Sequence, residues 1–152
     1  MYKSMRQCAV LCVLLPLLAA CATGPTYDQL HASEPPVAQT MGRFYMYRTS
    51  AFGAAVQPAI KVNGAKVGDA VPDGYFYVDE APGSYTVSTT TEKDESIPVT
   101  LNAGQVRYIR FDISMGVFVG HVIPSIIDPE QGAVEIKSLH YTGGSAPKVA
   151  SK

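Results

Sequence analysis

From residue 42 onward apolar and polar side chains alternate with a period of two, the repeat of a strand that buries one face. Phe44 and Met46 alternate with Arg43, Tyr45 and Tyr47. Ala59-Ile60-Lys61-Val62 leads into Asn63-Gly64, a pair suited to the positive φ angles of a two-residue hairpin turn, and Lys66-Val67 restarts a strand. Phe76 and Val78 alternate with Tyr75 and Tyr77, Pro82-Gly83 turns the chain, and Tyr85, Val87 and Thr89 then alternate with Ser84, Thr86 and Ser88. Ile97, Val99 and Leu101 share a face around Pro98; proline cannot donate to a ladder, so that strand belongs at an edge or carries a bulge. Asn102-Ala103-Gly104 turns into a strand over 106–113, and a last strand is expected over 133–139 with Ile136 inward. No segment sustains a helical period. About seven short strands, with turn signals every 8–12 residues, predict an all-β fold: an antiparallel β-sandwich.

The first twenty residues follow another rule. Lys3 and Arg6 precede an apolar run from Ala9 to Leu18, which Leu18-Ala19-Ala20-Cys21 closes. A positive start, a short apolar run and a small-residue cleavage site make a secretory signal. The run is about half the ~20 residues that a spanning helix needs. The tetrapeptide resembles the bacterial lipobox, which implies cleavage between Ala20 and Cys21, a lipid on the Cys21 thiol and usually an acylated new amine. Two or more acyl chains, at ~0.8 kcal/mol per buried methylene, hold a protein firmly to a bilayer. By the same resemblance, Ala22 after the cysteine, where aspartate tends to retain lipoproteins in the inner membrane, favours the outer membrane, facing the periplasm.

Cys8 and Cys12 lie in the segment expected to be removed, so Cys21 is the one cysteine of the expected mature chain and no disulfide framework follows. Loss of residues 1–20 takes Lys3 and Arg6 away and leaves ten basic side chains against thirteen acidic ones, near −3. That balance, with basic residues scattered singly from Arg43 and Arg48 to Lys137, gives no footprint for nucleic acid and no polybasic membrane patch. Residues 21–41, with three Pro, three Thr, two Gln and one Ser, read as a flexible tether of roughly 25 Å average span and at most about 70 Å when extended. The sandwich is expected over 42–141 and a frayed tail over 142–152.

The runs Lys61 to Gly68, Gly74 to Asp79 and Pro82 to Val87 resemble those of PEGA-type and transthyretin-like β-sandwich modules. Together with Gly42-Arg-Phe-Tyr-Met-Tyr-Arg48 and Ser114-Met-Gly-Val-Phe-Val-Gly120, they resemble a family of small proteobacterial lipoproteins with a domain of unassigned function. This implies a fold and an envelope location, with no catalytic residue to carry over.

The residues themselves offer little chemistry. His31, His121 and His140 do not stand at metal-ligand spacing from one another or from Cys, Asp or Glu, no phosphate-cradling loop is present, and neither a metal nor a cofactor is expected. His31 reads as solvated, as do Asp79, Glu80 and the acidic run Glu92 to Glu95, which fall at turns. Ser114, His121 and Asp112 are residue types of a triad without a nucleophile elbow to support one. Two surfaces are candidates for interaction. The apolar stretch 115–127 reads first as a buried strand and its connection; read as an exposed loop, it would bring Phe118, Val119 and His121 to a partner or a bilayer. The face bearing Tyr45, Tyr47, Tyr75 and Tyr77 reads as cross-strand aromatic pairing; exposed, Tyr75 and Tyr77 would offer glycan rings a platform. The sequence thus predicts a lipid-anchored, non-catalytic envelope protein that binds or scaffolds an envelope protein or polymer. The alternatives are a peptidoglycan or glycan binder and a periplasmic hydrolase using His121.

Overall fold

The computed structural model describes residues 22–115 and 120–143. Its nine strands are β1 (Gly42–Arg48), β2 (Ala59–Val62), β3 (Ala65–Asp69), β4 (Gly74–Glu80), β5 (Gly83–Thr90), β6 (Asp94–Leu101), β7 (Val106–Ser114), β8 (His121–Ile127) and β9 (His140–Tyr141). They form a five-stranded sheet, β8-β7-β1-β4-β9, and a four-stranded sheet, β3-β2-β5-β6, packed as a sandwich. The alternating apolar positions meet between the sheets: Phe44, Met46, Phe76, Val78, Ile109 and Phe111 from one, and Ile60, Val62, Val87, Val99 and Leu101 from the other.

Local turns follow the sequence closely. Asn63 (φ 47°) and Gly64 (φ 81°) make the β2–β3 hairpin turn, both in the left-handed region that this turn requires. Pro98 lies on β6, an edge strand. The turns at Pro82-Gly83 and Asn102–Gly104 carry the chain from one sheet to the other.

Among the described residues five of the seven strand pairs are antiparallel, as expected, and two are parallel, which the sequence did not indicate. β1 pairs with β7, and β4 with β9, in parallel, while β1 and β4 pair antiparallel. The hairpins β2–β3, β5–β6 and β7–β8 remain antiparallel.

Two expectations are corrected. Residues 133–139 are not a strand: α2 covers Pro129–Glu135 and a 3-10 turn follows over Ile136–Ser138. Asp128 caps the helix by accepting from the Glu130 N–H at 2.9 Å, and Pro129 occupies its first turn, where proline loses no hydrogen bond. Ile136 does point inward, fully buried. Residues 22–41 are not a free tether but pack on the five-stranded sheet. There α1 (Tyr27–Leu30) continues into a 3-10 turn over His31–Ser33, with Gln29 Oε1 accepting from the Thr26 N–H at 2.9 Å, half of a capping box.

The fold therefore has three layers and two apolar seams. The second seam lies on the outer face of the five-stranded sheet, where Tyr27, Ile136 and Leu139 cover Tyr45, Tyr47, Tyr75 and Tyr108. Being central and covered on both sides, β1 is buried at all seven positions.

Candidate functional site

The outer seam concentrates the chemistry of the described residues. β1 and β4 pair Tyr45 with Tyr77 and Tyr47 with Tyr75, so the four tyrosines do share one face. They are not an open platform: Tyr45, Tyr47 and Tyr75 are buried and Tyr77 is half-buried. Tyr27 meets Tyr45 and Tyr75 edge-on, at centroid distances of 5.7 and 5.5 Å, while Tyr45 stacks on Tyr108 at 5.4 Å. Such geometry suits the aromatic quadrupole. At Gly132 of α2 a Cβ would stand 2.3 Å from Tyr108 Cγ, so only glycine lets the helix lie this close to the ring.

Two carboxylates fasten the cover. Glu34, whose side chain is 7% exposed, accepts hydrogen bonds from the hydroxyls of Tyr45 (2.6 Å) and Tyr75 (3.2 Å). Glu135 of α2 accepts from Tyr47 Oη at 2.8 Å, from Arg110 Nη1 at 2.9 and 3.0 Å, and from Gln131 Nε2 at 2.6 Å. Burial alone would raise the Glu135 pKa, but these donors together hold it below the usual carboxylate value.

Arg43 is 3% exposed. Its Nε and Nη2 donate to the Asp79 carboxylate at 2.6 and 2.8 Å, Nη2 also donates to the Pro35 carbonyl at 2.9 Å, and the guanidinium lies 4.0 Å over the Tyr77 ring. Burial would lower its pKa, yet the Asp79 hydrogen bond and charge outweigh that and raise it. Asp79 is thus the partner of a buried arginine rather than a solvated turn residue. Arg43 ties the strap of residues 22–37 to β4, just as Glu34 ties it to the tyrosines.

Where strap meets sheet, Tyr27, His31, Glu34, Pro35, Arg43 and Tyr108 help to line a cleft of about 210 Å³. The Glu34 and Arg43 groups facing it already hold Tyr45, Tyr75, Asp79 and Pro35, so the site works chemically as a latch.

Removing one latch has a measurable consequence. Glu34→Ala is expected to leave the Tyr45 and Tyr75 hydroxyls without their charged acceptor and to destabilise the fold by about 2 kcal/mol, the scale of a hydrogen bond to an ionised group. Hydrogen exchange should speed up first at the Gln29, Leu30 and Glu34 amides, which bond within the strap. Unchanged protection there would mean that Glu34 does not hold the strap.

The tyrosines should also report the latch at high pH. All eight described tyrosines have pKa values raised above the ordinary 10.0, burial being the largest cause at each. Tyr108 is pushed up to about 12, and Tyr45, Tyr47 and Tyr75, facing Glu34 or Glu135, go higher. Each group's folded pKa exceeds its unfolded one, so its contribution is fully present below the unfolded value and is lost as pH rises through the folded value. Tyrosinate absorbance is therefore expected to develop well above the ordinary value, together with loss of the β circular-dichroism signal. Titration near pH 10 with the sheet intact would contradict this.

The other expected site residues are dispersed. His121 begins β8, with Nε2 3.6 Å from Glu92 Oε2 and Nδ1 3.5 Å from Thr91 Oγ1. Ser114 faces it across the β7–β8 ladder, but the Asp112 carboxylate is held by Arg110 Nε at 2.9 and 3.0 Å. Among the described residues no triad is assembled and no group of three or more His, Cys, Asp or Glu is placed to hold a metal ion. His31 is exposed, as expected, and stacks on Tyr27 at 4.5 Å. Within 115–127, Val122, Pro124 and Ile127 of β8 are buried and Met115 is exposed. Phe118 and Val119 lie outside the described residues, as do Ala20, Cys21 and the tail beyond Gly143.

Sequence reasoning missed the burial of Arg43 and Arg48, the pairing of Asp79 with Arg43 and the role of Glu34. For Arg43 the signal was the Arg43-x-Tyr45-x-Tyr47 face of β1, readable as a solvent face as long as nothing was known to cover it, whereas Arg48 alternates with Phe44 and Met46 on the opposite, inter-sheet face. A family model described as a protein of unknown function, DUF2846, matches residues 38–122, which hold the tyrosine face, Arg43 and Asp79 but neither the strap nor α2. No curated protein matches the chain.

Proposed function

The chain belongs to the DUF2846 family, and on that premise we propose that it is a lipid-anchored, non-catalytic module of the cell envelope that binds or scaffolds an envelope protein or polymer. The observation that carries this reading is Leu18-Ala19-Ala20-Cys21 at the end of a short apolar run behind Lys3 and Arg6. Ala22 directs the anchor to the outer membrane, on the periplasmic side. No helix among the described residues is long and apolar enough to cross a membrane. One structural feature supports the reading. The segment that follows Cys21 is latched to the sheet through Glu34 and Arg43, so force or position at the anchor passes directly to the sandwich.

The glycan platform is not carried forward, because Tyr75 is fully buried and Arg43 lies over Tyr77.

Intact-mass measurement on the chain purified from its own envelope tests the reading. The expected result is a polypeptide beginning at Cys21 and heavier by a diacylglycerol and an acyl chain, with Cys21→Ala recovered unmodified and not membrane-bound. A wild-type chain with a free Cys21 thiol would overturn it.

A further inference from the structure

The lipid anchor, if it stands on Cys21, emerges at one particular end of the sandwich. The Ala22 N–H donates to the Pro72 carbonyl at 3.3 Å, and Ala22 shares a cleft of about 300 Å³ with Thr49, Asp73 and His140. These positions mark where β1 ends and β4 begins. With residues 22–41 packed on the sheet, the link between a lipidated thiol and the folded domain shrinks from tens of ångströms to one peptide unit, about 3.8 Å between Cα atoms.

That end also displays two large apolar loop residues that are exposed among the described residues. β7 runs parallel to β1, with Tyr47 opposite Arg110, and continues to Ser114, so Met115 emerges beyond the end of β1. The 49–58 connection leaves β1 at the same level. Phe52 on it is 64% exposed and Met115 is 82% exposed. They flank one contact: a Cβ on Gly53 (φ +68°) would stand 2.6 Å from Ile113 Cδ1, so the Phe52 loop sits against the end of β7.

Phe52 is held there by an unusual device. Arg48, 1% exposed, donates through Nη1 to the Val56 and Ala70 carbonyls at 2.7 and 3.0 Å, and through Nη2 to those of Phe52 and Gly53 at 2.6 and 3.1 Å. One guanidinium thus joins the Phe52 loop to the connection that receives Ala22. A loop this constrained, with a large ring turned outward, suits a surface that meets another phase.

We propose that this end of the sandwich rests in the headgroup layer of the bilayer that holds Cys21, with Phe52 and Met115 inserted beside the anchor. The inference rests on the lipid-anchor reading. The charges select the kind of headgroup: Asp69, Asp73, Glu92 and Asp94 lie in the strand ends and loops of this end against Lys66, Lys93 and the buried Arg48. That acidic excess fits a zwitterionic surface and disfavours an anionic one.

The chain contains no tryptophan, so single reporters are unambiguous. Phe52→Trp, Met115→Trp and Ala103→Trp, the last in the β6–β7 turn at the opposite end, would each be prepared as the full envelope-processed chain. Each would then be placed in zwitterionic phosphatidylethanolamine–phosphatidylcholine vesicles carrying brominated acyl chains. The Phe52→Trp and Met115→Trp reporters are expected to shift to the blue and to be quenched about threefold more than the Ala103→Trp reporter, as for side chains lying roughly 5–10 Å into the headgroup and acyl boundary. Equal quenching at all three positions, on chains whose mass carries the lipid, would overturn the docking and leave the anchor standing. A blue shift without quenching would mean that a protein surface covers this end, and would overturn it too. Absence of lipid on Cys21 would remove both.

Discussion

Arg43→Leu is expected to destabilise the protein by about 3–5 kcal/mol, the usual cost of breaking a buried ion pair from one side. The substitution leaves the Asp79 carboxylate, with 14% of its side chain exposed, facing a space that can no longer supply two donors. It also orphans the Pro35 carbonyl and takes the cation off the Tyr77 ring. Against a typical total stability of ~5–15 kcal/mol the loss is large, and the urea midpoint should fall accordingly. The physical cause separates this from lost packing. Most of the cost is the stranded charge, so adding Asp79→Leu to Arg43→Leu should recover a large part of the midpoint. A double variant no more stable than the single one would show that the pair is not the source. Because Arg43 also holds the strap, protection of the strap amides should fall in the single variant by more than the global loss accounts for.

Arg48→Met is expected to cost at least about 3 kcal/mol by another route. Arg48 has no carboxylate bonded to it; four carbonyl groups on two connections take its protons. Burial lowers its pKa and Asp73 pulls the other way, yet an arginine stays charged under any ordinary condition. A methionine fills comparable volume and leaves those acceptors unmet, at ~1–3 kcal/mol each where water cannot reach them. Lysine is no substitute, since one compact ammonium with three donors cannot span carbonyls that the planar fork reaches in two directions. Both Arg48→Met and Arg48→Lys should therefore lower the midpoint and loosen the amides of residues 52–56. A lysine variant as stable as wild type would show that charge, rather than the fork, is what the site needs.

Arg48 falls in step with Phe44 and Met46 at the end of the core face, whereas Arg43 looks unremarkable in the sequence for a general reason. A period of two tells which side chains share a face, and on β1 it separated Phe44 and Met46 from Arg43, Tyr45 and Tyr47. It does not tell whether the second face meets water. Tyrosine and arginine are amphipathic enough to suit either situation, and here the cover comes from residues 22–37 and 129–139, the second of them some eighty positions along the chain. The helix signals of that cover were present as Thr26-x-x-Gln29 and Asp128-Pro129-Glu130, but both helices are shorter than the window in which a helical period becomes visible.

What the sequence determined by itself was local: the strands, because side chains alternate across a pleat; the Asn63-Gly64 hairpin, because few residues accept its backbone angles; and the edge position of Pro98, because it has no N–H to donate. Which strands run parallel, which tyrosines are shut away, and where Ala22 leaves the fold were decided only by tertiary structure. They depend on which distant segments come together, and desolvating an arginine or a tyrosine hydroxyl is tolerable only when the partner that arrives brings the missing hydrogen bonds with it.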